Sequence, residues 1–239
     1  MALLASSLID GFAKSNFMGQ GIVLVQLAGS VLMVAAVIGK WRTLLAYARS
    51  TRLFLRNFST YGGVLEYYLH RRPNVRTGVE GIYKETCERL LNLLSPEVRA
   101  RLVGRQSEGA AALTAREIEL VRGTCEHVLD EEEIRIGYGM GLISTVVALA
   151  PMLGLLGTVW GVLDAFAEMG AAGSANLATI APSISAALVT TVVGLLVAIP
   201  GMAAVTRLNA LIRSISANME GFADEIIGRI ACEFQGRGA

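Results

Sequence analysis

Charge is missing from three long stretches of this chain, and that pattern constrains the fold more than any other. No charged side chain lies between Lys14 and Lys40, none between Arg135 and Asp164, and none from Met169 to Thr206. About 20 residues of α-helix, rising about 1.5 Å each, cross a hydrocarbon layer of about 30 Å. The first stretch, with its apolar heart at residues 21–39, fits one crossing. The second fits one tilted crossing at 138–163. The third is too long for one. Its small, polar start, MGAAGSANLATIAP, reads as a loop or short interfacial helix, with the outer loop placed at 164–182 and the span at 183–205. In lipid a helix satisfies its own backbone amides, and no alternating apolar-polar pattern points to a barrel instead. The rest of the chain is too small to cover three such helices inside a soluble core.

Lys and Arg set the orientation. The segment 1–20 carries only Lys14, and the connection between the second and third spans carries none. The 16 Lys and Arg residues from Lys40 to Tyr138 predict that 40–137 is cytoplasmic. Arg207 and Arg213 place the final segment, 206–239, on that side too. The N-terminus is therefore expected outside and the C-terminus inside. Basic residues follow the first apolar run instead of preceding it, the charge order of a retained reverse anchor and not of a cleaved leader.

The cytoplasmic part reads as helical. From Trp41 to His70 apolar residues recur at helical spacing, with Gly62-Gly63 as an interruption. A turn is expected at His70–Asn74, a helix at Thr77–Leu94, a short helix opened by Ser95-Pro96, and a loop from Gly104 to Gly109. Thr114 with Glu117 forms a capping box. From there one helix is expected to run through the second span to Leu163, bent at Gly137, Gly139 and Gly141. The third span is expected to continue to about Arg229. The fold class is all-α: a membrane protein with three transmembrane helices, the second and third extending into a cytoplasmic helical bundle. Cys87, Cys125 and Cys232 all fall on the reducing side and form no CxxC pair, so they read as free thiols. The run Asp130-Glu131-Glu132-Glu133 reads as a solvated face, with a salt-bridge ring to the Arg cluster or an ion-attracting vestibule as alternatives.

The second and third spans are built for close approach. Gly154, Gly157 and Gly161 strip one side of the second span. Ser183, Ala187 and Thr191 recur every fourth residue of the third, followed by Gly194 and Ala198. Small residues let neighbouring backbones touch in lipid. Pro151 and Pro200 each free a carbonyl one turn back and are expected to kink their helices. The hydroxyls Ser144, Thr145, Thr158, Ser183, Ser185, Thr190 and Thr191 either bond to a carbonyl one turn earlier or line a narrow lumen. We assign Thr158, Thr191, Ser144, Thr145 and Ala187 to that lumen, and Gly154, Gly157, Gly161 and Gly194 to packing. No Asp, Glu, His, Lys or Arg lies within any span, so a proton path would need its titrating group from a partner. A formal charge of +1 argues against nucleic acid as a partner. No phosphate loop, metal-ligand cluster or activated nucleophile points to catalysis, a metal or a cofactor.

APMLGLLGTVWGVLDAF (150–166) and NLATIAPSISAALVTTVVGLLVAIPGMAAVTRLN (176–209) closely resemble the TolQ/ExbB branch of the MotA/TolQ/ExbB proton-channel family. The likeness is specific from about Arg135 to Asn209, and over the rest of the chain it rests on layout. It implies a bacterial inner-membrane subunit that assembles as a homopentamer around a pore. The pore holds the single-span helices of an ExbD/TolR-like dimer, whose Asp takes the proton. It further implies that the proton motive force is turned into mechanical work through a TonB- or TolA-like or other periplasm-spanning protein. Thr158 and Thr191 fall on the family's two pore threonines. One departure stands out: Ala186 occupies a position where the family usually has Glu. With the lack of charge in the spans, this motivates a second expectation, a non-conducting membrane scaffold that holds a single-span partner.

Overall fold

In a computed structural model of the chain, residues 17–70, 78–94, 113–172 and 177–234 are described. They form six helices: α1 Phe17–Phe58, α2 Val64–His70, α3 Gly78–Leu93, α4 Ala115–Gly137, α5 Met140–Ala172 and α6 Leu177–Phe234. Among the described residues there is no strand. Three stretches, Phe17–Phe58, Ala115–Ala171 and Ile180–Phe234, are long and apolar enough to cross a membrane. The chain divides into two compact units, one of residues 17–41 and 139–209, the other of 42–138 and 210–234.

Several boundaries differ from the sequence expectation. α1 stops at Phe58, before the glycines, as its last amides tighten: Thr60 N–H donates to Asn57 O at 3.2 Å and Tyr61 N–H to Phe58 O at 3.1 Å. The single helix expected from Thr114 to Leu163 is two. Tyr138 takes an extended ψ of 135° and Gly139 a φ of +83°, a left-handed conformation that glycine adopts at little cost. Most of the expected loop at 164–182 is helix, since α5 runs to Ala172 and α6 begins at Leu177. The small residues taken there as loop-formers are largely alanine, the strongest helix former. α6 also outlasts its expected end, reaching Phe234. Helices continue through Pro151, Pro182 and Pro200. The turn beyond His70, the helix at Ser95 and the loop at 104–109 lie outside the described residues.

The unit of 42–138 and 210–234 has a conventional core. Phe54, Phe58, Tyr67, Tyr83 and Phe222 interlock, with Phe54–Tyr83 and Phe54–Phe222 centroids both 5.5 Å apart. Arg229 caps the cluster 5.0 Å above the Phe58 ring. The Tyr83 hydroxyl donates to Val64 O at 2.5 Å, so the one polar atom of that ring is satisfied. At the start of α4 the Thr114 hydroxyl accepts from Glu117 N–H at 3.3 Å, and the Glu117 carboxylate accepts from Thr114 N–H at 2.8 Å. The capping box predicted from sequence is therefore formed.

The acidic run is not uniform. Asp130 and Glu131 are exposed, but Glu132 is buried. Its carboxylate accepts from Gly78 N–H at 2.7 Å, from the Tyr47 hydroxyl at 3.1 Å, and from Arg135. One acid of four thus anchors the first amide of α3, where the charge meets unpaired helix N–H groups. Burial, and then the adjacent Glu132 charge, pushes the Tyr47 phenol above its ordinary value. Cys87 and Cys125 are buried free thiols and Cys232 an exposed one. Burial raises both buried thiols.

Candidate functional site

The unit of 17–41 and 139–209 is arranged the other way round. Many of its large side chains, among them Leu24, Leu32, Leu155, Leu163, Leu195 and Ile199, face outward. Its interior combines small residues, Ala150, Ala186, Ala187, Thr190 and Ala198, with a few larger ones such as Met33, Ile143 and Val147. Where lipid removes the advantage of burying bulk, dispersion between close backbones is what remains.

The glycines on α5 define that contact. A Cβ added at Gly154 would sit 2.9 Å from Thr191 Cα, and one at Gly157 2.7 Å from Thr190 Cβ. At Gly161 it would sit 2.5 Å from Ala187 Cβ, and at Gly194 on α6 2.6 Å from Ala150 O. Contacts thus climb α5 as they descend α6, so the two helices run antiparallel along one seam. Hydroxyls tie the seam: Thr190 shares its one hydroxyl hydrogen between Gly154 O on α5 at 3.1 Å and Ala187 O on its own helix at 2.7 Å, and Thr191 donates to Gly154 O at 2.9 Å.

Helix geometry then sorts the residues assigned to the lumen. Each residue turns the helix by about 100°. Thr158 follows Gly157, and Thr191 follows Thr190, across one contact of two antiparallel helices. The same right-handed step therefore carries both to one side of the pair. Ser144 falls on that side of α5 as well. All three are partly exposed. The Thr158 hydroxyl donates to Leu155 O, one turn back, at 2.7 Å. α1 covers the opposite side: a Cβ at Gly29 would meet Val146 Cγ1 at 3.6 Å, and Gln26 Nε2 donates to Ala150 O at 3.1 Å.

Two of the residues assigned to the lumen lie off that side. Thr145 lies about 100° beyond Ser144 and points away from the seam, its hydroxyl donating to Gly141 O at 2.9 Å. Ala187 is buried at 4% exposure against Gly161, so it packs the two helices together and does not share the side that carries Thr158 and Thr191. A small crevice on the α1 side is lined by Gly19, Gly157, Trp160, Gly161, Asp164, Ser183, Ala186, Ala187 and Thr190. Ala186 thus sits in a hollow that Asp164 shares. At the same end Ser183 donates to the Glu168 carboxylate at 2.9 Å. Sequence reasoning missed Gln26, although a lone amide inside GIVLVQLAG was its signal.

Residues 95–221 match the MotA/TolQ/ExbB proton channel family. Three lipid-compatible helices and a match over more than half the chain define a multi-pass membrane protein, and the chain belongs to that family. It is 28% identical to the Tol-Pal system protein TolQ of Haemophilus influenzae over 223 residues, 91% of this chain and 90% of that one. It is 25% identical to the TolQ protein of Pseudomonas aeruginosa over 92% of this chain and 93% of that one. The biopolymer transport protein ExbB of Xanthomonas campestris is 35% identical over 120 residues, 50% of this chain and 47% of the relative.

Proposed function

We propose that this chain is an inner-membrane proton-channel subunit, with its N-terminus in the periplasm and its C-terminus in the cytoplasm. Its spans lie at 21–39, 138–163 and 183–205. Several copies, five by family likeness, surround a pore that holds the single-span helices of an ExbD/TolR-like partner. The observation that carries the reading is the sorting of hydroxyls. Ser144, Thr158 and Thr191 occupy the side of the α5–α6 pair that α1 leaves open, amid apolar residues and without an ionisable group. Weakly polar hydroxyls of this kind hydrate or hydrogen-bond a carboxyl group brought by the partner, whose Asp is the group that titrates.

One charge crossing 100 mV releases about 2.3 kcal/mol. That is enough to re-seat helices joined by small-residue contacts, and far too little to unfold them. The work is delivered across the periplasm to a TonB- or TolA-like protein. The test is proton flux into liposomes carrying the chain co-expressed with its partner. Thr158→Val and Thr191→Val should abolish flux with the complex still assembled, and full flux in both variants would overturn the pore assignment. Ala186 favours a second reading, a scaffold that holds the partner without conducting. A flux that vanishes when the partner's acid is replaced excludes it.

A further inference from the structure

Gln26 is the one amide side chain inside the apolar heart of α1, and it is 2% exposed. A neutral amide in lipid is costly unless its polar atoms are paired. Its Nε2 donates to Ala150 O on α5 at 3.1 Å. Its Oε1 is enclosed and has no hydrogen-bond partner among the described residues. Gly194 makes room for the amide, and Gly154 borders it at ordinary contact distance. A Cβ at Gly194 would lie 2.9 Å from Nε2, and one at Gly154 3.5 Å from it. One turn along α5 from Ala150, the Gly154 carbonyl accepts from Thr190 and Thr191. Two successive carbonyls on one edge of α5 are thus gripped by side chains, one from α1 and the next from α6.

A half-satisfied buried amide is a poor way to gain stability. An apolar side chain of the same length would remove the orphaned oxygen along with the single bond, at little net cost. Stability alone therefore does not account for Gln26. We propose that Gln26 is a positioning residue. It fixes the rotation of α5 through the Ala150 carbonyl, and so sets where the Gly154 carbonyl meets Thr191. It acts through these groups and touches no proton itself. The inference rests on the reading of Thr191 as a channel residue.

Two variants of the full chain test it. Gln26→Met keeps the length and loses the amide. In liposomes with the partner, its flux should fall about tenfold, the loss expected when one hydrogen-bonded geometry is gone. Its melting temperature in detergent should stay within a few degrees of the parent. Gln26→Glu donates to the Ala150 carbonyl only while protonated. Burial raises the folded-state pKa of that acid, so the stability it contributes is fully present below the unfolded pKa of about 4.3 and is lost as pH rises through the folded value. The backbone groups around the amide, from Ala150, Gly154 and Gly194, do not titrate. The melting temperature of this variant should therefore decline with rising pH where the parent's does not, and its flux should decline in parallel. A Met variant that conducts like the parent overturns the proposal, as does a Glu variant whose melting curve tracks the parent's across pH. If the parent complex carries no flux at all, the channel reading fails, while the melting measurement on the chain alone still decides whether the amide grips α5.

Discussion

Thr190 donates its hydroxyl to the carbonyl oxygen of Gly154, 3.1 Å away on the facing helix, and is 1% exposed. This bond sits at the tightest part of the α5–α6 seam, next to Gly157, where no side chain fits. Gly157→Ala places a methyl 2.7 Å from Thr190 Cβ and must push the helices apart. The expected cost is about 1–3 kcal/mol, read as a lower melting temperature in detergent. Thr190→Ala in the same background should recover part of it, because the two changes share one contact.

Ser144 and Thr145 are adjacent in sequence, and the fold separates them. Ser144→Ala should reduce proton flux, since that hydroxyl shares the open side with Thr158 and Thr191. Thr145→Val should leave flux near the parent level, its hydroxyl having bonded only its own helix at Gly141 O. Flux measured for both variants at equal protein density checks the rotation assigned to α5.

Glu132 holds three donors in the unit of 42–138 and 210–234. Glu132→Leu strands the Gly78 amide and the Tyr47 hydroxyl and should destabilise by about 2–3 kcal/mol by denaturant titration. Tyr47→Phe removes a single bond and should cost about 1 kcal/mol. The Tyr47 phenol is raised, by burial first and then by Glu132. Its stabilising contribution is therefore present below the ordinary tyrosine pKa of about 10 and is lost as pH climbs through the folded value. Stability of the parent should fall more steeply above about pH 10 than that of Tyr47→Phe.

Thiol labelling offers an independent check on the core of the unit that holds Tyr83 and Phe222. At pH 8, maleimide should react with Cys232 and spare Cys87 and Cys125, which are buried and have raised pKa values. Mass spectrometry after tryptic digestion locates the label. Modification of Cys87 in the folded protein would contradict the packing of α3 on α4.

The strongest signals in the sequence were those with a physical period. Absence of charge marked the three spans, and glycines three and four residues apart marked the face of α5 at Gly154, Gly157 and Gly161. Thr114 with Glu117 fixed a helix start because both bonds of a capping box are local. What escaped depended on partners distant in sequence. Glu132 looked like its neighbours until Gly78 and Tyr47 came to meet it. Gln26 was one polar letter in an oily run, its role set by Ala150, 124 positions away. Ala187 shared a four-residue spacing with Thr191, and spacing alone does not tell a helix's packed side from its open one. The glycines at 137–141 announced a bend, while the positive φ that breaks the helix belongs to Gly139 alone among them.

Bulk outside and scarcity inside invert the usual tolerance of a protein to change. Positions such as Leu155, Leu195 and Ile199 ask only for something oily, and drift there among Leu, Ile, Val and Phe should pass unnoticed. At Gly157 a single carbon atom is too much. Over evolutionary time the membrane half of this chain should thus hold its smallest letters fixed while its largest ones wander, the opposite of what a water-soluble globule does.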